Sequence, residues 1–194
     1  MKQNGMYYIK DEFKQLVRSL GGEWNDKKKR PIVCLIQSRE HPDLYWAVPV
    51  GKVNHRDSKA MERIESYMNK PNRDLRSCYY HLGRTTSKSI FFISDAIPIT
   101  DKYILSEHLA SNDTPYIIKN PVLLESLNYK LNRILNFEAT NHNYFRQHIT
   151  DIKESLIKEL RNRSLVTVFL NYNPSKTLCT VSLSNIYKRV NLLS

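Results

Sequence analysis

The residues of this chain best suited to chemistry on an anion lie in two short stretches. Residues 45–57 read Tyr-Trp-Ala-Val-Pro-Val-Gly-Lys-Val-Asn-His-Arg-Asp. The stretch begins apolar, and Pro49 and Gly51 break its strand pattern. Lys52, His55 and Arg56 follow at once. An imidazole near its ordinary pKa of about 6.5 takes or gives a proton at neutral pH. A fixed cation beside it stabilises charge growing on a phosphate in a water-poor pocket. The second stretch, residues 27–30, is Lys-Lys-Lys-Arg. Arg30 stands apart from the lysines because Pro31 and an apolar run follow it directly. A guanidinium held at the mouth of a buried strand grips a phosphate through two parallel hydrogen bonds. The two stretches read as halves of an RNA-cleaving site, with Arg30 and Lys52 on the phosphate and His55 as acid or base.

A third group is the basic, hydroxyl-rich run Gly83 to Lys88, preceded by His81. It offers Arg84, Thr86, Ser87 and Lys88 to phosphates, although a hydrophilic turn has the same composition. Lys28, Lys29, Gly51, Arg56, His81, Arg84, Lys88, Lys119 and Arg133 are the candidates for lining an RNA groove. Tyrosine outnumbers phenylalanine 12 to 6, which suits surfaces where bases stack. Among Tyr7, Tyr8, Trp24, Tyr79, Tyr80 and Tyr116 most are expected in the core, with Tyr116 a candidate contact.

Other chemistries find no support. No phosphate-cradling G-x-x-x-x-G-K-[ST], dinucleotide G-x-G-x-x-G or nucleophile-elbow G-x-S-x-G occurs. His41, His108, His142 and His148 lack metal-ligand spacing, and no acidic cluster suits catalytic magnesium. A nuclease built from these residues is therefore expected to work without metal or other cofactor. The ribose 2′-hydroxyl attacks the adjacent phosphate, so the substrate must be RNA.

The rest of the chain must position these groups. It has 194 residues, of which 41% are hydrophobic, enough for one domain with a true core. Net charge is +11, which favours a polyanionic partner. Three cysteines without a C-x-x-C, no signal peptide and no apolar run long enough to span a bilayer imply a cytoplasmic protein with reduced thiols and no membrane partner. Apolar runs predict strands over residues 6–9, 32–36, 44–50, 77–82, 89–93 and 96–99. Helical spacing predicts helices over 10–20, from Ser58 to about Met68, from Thr100 to about Leu109, from Asn120-Pro121 onward, and over 141–163. Residues 166–172 and 177–182 alternate like two strands, which suits either an added hairpin or a poorly ordered tail. The class is α+β: a small, strongly bent antiparallel sheet or barrel followed by helices.

The motifs Y-Y-I-K-D-E-F (7–13), K-R-P-I-V-C-L-I (29–36), L-Y-W-A-V-P-V (44–50), S-C-Y-Y-H-L (77–82), F-I-S-D-A-I-P-I-T (92–100) and T-P-Y (114–116) follow one another in order. In this the chain resembles the RNA-inhibited toxins of type III toxin–antitoxin systems, the ToxN, AbiQ, CptN and TenpN group, and the CptN branch most. The resemblance covers about residues 6–160. It implies an SH3-like barrel core (about 6–100) similar to the MazF, Kid and CcdB toxins, with a helical part (about 101–163) in the same domain. Residues 164–194 then form a C-terminal extension. It implies a metal-independent endoribonuclease that leaves a 2′,3′-cyclic phosphate on cellular messenger RNA. Its partner is a repetitive, pseudoknotted antitoxin RNA, which it processes and which closes it into a protein–RNA ring. The catalytic arginine of the MazF-type R-P-x-V-V-L strand maps to Arg30. Relatives commonly carry Thr or Ser where this chain has Gly51-Lys52, so the hydroxyl's work passes to Lys52, His55, Thr86 or Ser87. The alternatives are an RNA-binding module without catalysis and a CcdB-like toxin directed at a protein.

Overall fold

The computed structural model describes residues 1–25 and 29–172. Lys28, Cys179 and the strand expected over 177–182 lie outside the described residues. The chain divides into two compact units, Met1–Lys158 and Glu159–Ser194. Of the second, only helical residues 159–172 are described.

The first unit is built on seven antiparallel strands: β1 (Met6–Ile9), β2 (Ile32–Gln37), β3 (Leu44–Lys52), β4 (Tyr80–Arg84), β5 (Lys88–Phe92), β6 (Ile97–Thr100) and β7 (Ile104–Glu107). Their order is β4-β5-β3-β2-β1-β7, with β6 also on β3. β3 is the spine. Its first half pairs β6 from Leu44↔Thr100 to Ala47↔Ile97. Its last residues pair β5 as Val50↔Phe91, Gly51↔Ile90 and Lys52↔Ser89. β2 runs along the other edge of β3, with Ile32 opposite Pro49. β4 and β7, at the two ends of the order, do not pair. The sheet is therefore open where the resemblance implies a closed barrel.

Period-2 alternation decides what each face carries. Met6, Val33, Val48, Val50 and Phe91 form one core with Leu123, Leu127, Leu131 and Ile134 of α3 (Pro121–Glu138). Asn120 caps α3 by accepting from the Leu123 amide at 3.1 Å, and Pro121 opens it. Ile90 and Phe92 pack instead with Ile64 of α2 (Ser58–Met68). The cap of α2 is Asp57, which accepts from the Ala60 amide at 2.7 Å, one residue before the expected Ser58. α1 (Asp11–Ser19) buries Phe13 and Val17.

Four expectations fail. Thr100 starts no helix to Leu109. A single 3₁₀ turn, Asp101–Tyr103, leads into β7, because residues 104–107 find a partner in β1 (Tyr7↔Glu107, Tyr8↔Ser106). The helix expected over 141–163 begins only with α4 (Ile149–Tyr172). Before it, Asn143 and His148 take left-handed conformations (φ 56° and 58°) that no helix accepts. Residues 75–78 turn as 3₁₀ before β4 begins at Tyr80. Residues 166–172 continue α4 and are not a strand.

Candidate phosphate-binding site

The site forms where β3 leaves the sheet. After Lys52, a 3₁₀ turn over Val53–His55 folds the chain back, and Arg56 donates its amide to the Val53 carbonyl at 3.0 Å. Asp57 then starts α2. This tight exit carries Arg56 over the ring of Phe92, with its guanidinium carbon 5.1 Å from the ring centroid. Arg30 enters from the other edge, where the Val50 amide donates to the Pro31 carbonyl at 2.8 Å. Its guanidinium carbon is 4.8 Å from the same centroid. Two guanidinium groups therefore stack on one aromatic ring, within about 10 Å of each other.

Gly51 is what leaves room for Phe92 and Arg56. A Cβ at Gly51 would stand 3.0 Å from Phe92 Cε2 and 3.3 Å from Arg56 Nη2. The volume that a Thr or Ser side chain would enter is filled by an aromatic ring and a cation. The departure from the resemblance thus has a steric counterpart.

Arg30 is half-buried, and removal from water, then the like charge of Arg56, lowers its pKa from the ordinary arginine value. The charge of Asp95 acts the other way. Yet Asp95 is engaged elsewhere: its carboxylate takes Arg146 at 2.8 Å and the amide of Gln147 at 3.1 Å. Among the described residues, no carboxylate pairs with Arg30 or Arg56, and neither guanidinium donates a hydrogen bond. Nε of Arg56 is shielded from solvent with no acceptor. Partly buried cations without a partner keep hydrogen-bonding capacity unspent, so the arrangement suits an anion arriving from outside.

Lys52 leaves β3 on the opposite face from Gly51. Burial, then the charge of Lys52, lowers the pKa of His108. His108 also lies 3.1 Å from the Tyr8 hydroxyl through Nδ1 and packs edge-on against the rings of Tyr8 and Tyr116. Tyr8 and Arg30 line the same groove, of about 890 Å³. The exit of β3 therefore turns Gly51 toward Phe92 and Arg56 and Lys52 away from them.

His55 is exposed within the 3₁₀ turn. Thr86 is exposed at the β4–β5 turn, and the Ser87 hydroxyl is shielded without a partner. The register places this turn beside the β3 exit, since Ser89 pairs both Lys52 and Gly83. Arg84 and Lys88 are exposed and paired across the hairpin. Lys29 is exposed on the groove wall. His81 is not part of this cluster. It pairs Phe91 on the α3 face, and burial, then the Lys130 charge, pushes its pKa down to about 4. Lys119 is exposed just before α3. Arg133 lies on α3 with its guanidinium 5.9 Å from the Tyr129 ring.

Sequence reasoning missed Phe92, Asp95, Arg146 and the Tyr8–His108 pair. Phe92 and Asp95 lie inside the run 92–100 that carries part of the resemblance, which is the one available signal. Nothing local marks His108, whose environment comes from three separate segments. No family model matches the chain, and no curated protein does.

Proposed function

We propose that the chain is a metal-independent endoribonuclease toxin of the type III class, held in check by its own processed, repetitive antitoxin RNA. The observation that carries this reading is the pair Arg30 and Arg56, stacked on Phe92 and without a carboxylate partner at the mouth of a bent sheet. A bent sheet with α3 on one face is compatible with the SH3-like barrel that the resemblance implies, opened between β4 and β7.

In this reading the scissile phosphate lies against the two guanidinium groups, which donate to its non-bridging oxygens as charge builds on phosphorus. The 2′-oxygen attacks phosphorus, the bond to the 5′-oxygen breaks, and a 2′,3′-cyclic phosphate remains. One group takes the proton of the 2′-hydroxyl and another gives one to the departing 5′-oxygen. Tyr8 with His108 is the better-placed pair, since Tyr8 shares the groove with Arg30 and its phenol is tied to the imidazole. Burial, and after it the charge of Lys52, favours the neutral imidazole, which is able to accept. His55, Thr86 and Ser87 border the exit and complete the candidate set. Lys29, Arg84 and Lys88 extend the positive surface, so binding should weaken steeply with salt.

A second reading, an RNA-binding module without catalysis, is favoured by the exposed His55, which makes no hydrogen bond among the described residues. Incubating the purified protein with messenger RNA in EDTA separates the two. The nuclease reading expects discrete fragments with cyclic-phosphate ends. Intact RNA that stays bound would support the module instead.

A further inference from the structure

Arg30 does not stand alone at the sheet's mouth. It forms one wall of the 890 Å³ groove, whose other walls include Trp24, Tyr8, Pro49, Asp95 and Arg146. That size accommodates a nucleotide with room to spare. A phosphate seated on Arg30 necessarily presents its attached nucleoside to this space or to open solvent.

The rest of the lining is built, not incidental. Trp24 sets its ring edge-on against Phe13, centroids 6.2 Å apart at 89°. Its segment is pinned on both sides, by the Gly22 amide to the Val17 carbonyl at 2.9 Å and by the Glu23 amide to the Arg146 carbonyl at 2.7 Å. A Cβ at Gly22 would fall 2.3 Å from the Gln147 carbonyl oxygen. Only glycine permits that approach, and the approach joins the Trp24 segment to the one carrying Arg146. Arg146 in turn is clamped to Asp95, itself held by the buried Gln147. One framework therefore holds an indole and a side-by-side carboxylate and guanidinium around the same groove.

We propose that this groove is a nucleobase pocket. The base of the nucleotide whose phosphate lies on Arg30 stacks on Trp24, and the Asp95–Arg146 pair reads its polar edge. The proposal rests on the phosphate reading above but not on catalysis. Stacking on an indole is tolerant of base identity. The carboxylate accepts from an exocyclic amino or ring N–H group and the guanidinium donates to a carbonyl or ring nitrogen, so the pair confers preference.

The test is calorimetric titration of the intact protein with the four nucleoside 3′-monophosphates and with inorganic phosphate. At least one nucleotide should bind tenfold or more tighter than inorganic phosphate. Trp24→Leu, which keeps an apolar contact to Phe13, should remove most of that advantage while leaving phosphate affinity unchanged. Trp24→Phe should retain part of it. Asp95→Asn should change the order of preference among the four. As a measurement free of any change at Trp24, the Trp46→Phe variant should show fluorescence quenching with the preferred nucleotide and none with phosphate. The proposal is overturned if no nucleotide outbinds inorganic phosphate, or if the advantage survives in Trp24→Leu. Failure of RNA cleavage with nucleotide binding intact would sink the nuclease reading alone. Cleavage by a protein that shows no nucleotide advantage would sink the pocket alone.

Discussion

Two half-buried cations in this protein are treated in opposite ways. Lys130 on α3 donates to the carbonyls of Ser77 at 3.0 Å and Tyr80 at 2.8 Å. Arg30 at the sheet's mouth has a like-charged neighbour and, among the described residues, no acceptor. Both are driven by burial toward the neutral form. Lys130 answers with hydrogen bonds that tie the 3₁₀ turn over Leu75–Cys78 and the start of β4 to α3, which is a structural use of a cation. Arg30 has only the face of Phe92 and a groove. A cation that spends donors on backbone carbonyls, as Lys130 does with two of its three, holds a fold together; one whose donors are unspent is available to a ligand.

The largest effects should separate these two roles. Arg56→Met should slow RNA cleavage by a factor of about 100 or more and leave thermal stability unchanged or raised, since a like-charge repulsion disappears. Lys130→Met should do the reverse. It strands two carbonyls and should cost about 1–3 kcal/mol of stability, read from denaturant unfolding, with cleavage by the folded protein retained. If both variants lose stability equally and both cleave normally, the distinction between them is void.

Gly51→Thr sharpens the comparison from the other side. The added Cβ meets Phe92 and Arg56, so one of them must move. Overpacking of this kind costs about 1–3 kcal/mol. Cleavage should fall, although the substitution restores the hydroxyl typical of the resembling family. A gain in cleavage would mean that the hydroxyl, not the two guanidinium groups, is what the site needs.

Much of the scaffold behind these tests is legible in the sequence. Asn120-Pro121 announces α3 because cap and first position are both local chemistry. β1, β2 and β3 announce themselves through continuous apolar runs. β7 does not, since Ile104 to Glu107 becomes a strand only through its pairing with β1. The start of α4 is hidden because Asn143 and His148 take left-handed turns. Those turns are held partly by a carboxylate at the end of α3: Glu138 accepts from the Asn143 amide at 2.6 Å and the Thr150 hydroxyl at 2.8 Å. At the site, Arg30, Gly51 and Arg56 are readable as a cationic exit from a strand. Their shared ring, Phe92, is not, because it arrives from another strand through the β3–β5 register.

Two smaller effects involve the imidazoles of His81 and His108. The pKa of His81 is about 4 in the folded protein, below its unfolded value near 6.5. The unfolded chain therefore binds the proton first, and stability is full above pH 6.5 and falls as pH drops toward 4. Solvent reaching the ring screens part of the cost, leaving about 1–2 kcal/mol. Replacing His81 by Leu should flatten that part of the stability–pH curve. Lys52→Met should raise the titration midpoint of His108 in an NMR pH series, because one of the two causes that lower it is removed. An unmoved midpoint would detach Lys52 from the Tyr8–His108 pair. Smallest of all, Arg84→Ala and Lys88→Ala should each reduce the salt slope of RNA binding by about 1.

The most direct test is the single-turnover rate constant for RNA cleavage by Arg30→Met, measured in EDTA beside the wild type and alongside the melting temperature of each. The account predicts a fall of about 100-fold to 1000-fold with a melting temperature equal to the wild type or higher. A rate within about threefold of the wild type, a loss worth under 1 kcal/mol, would contradict it.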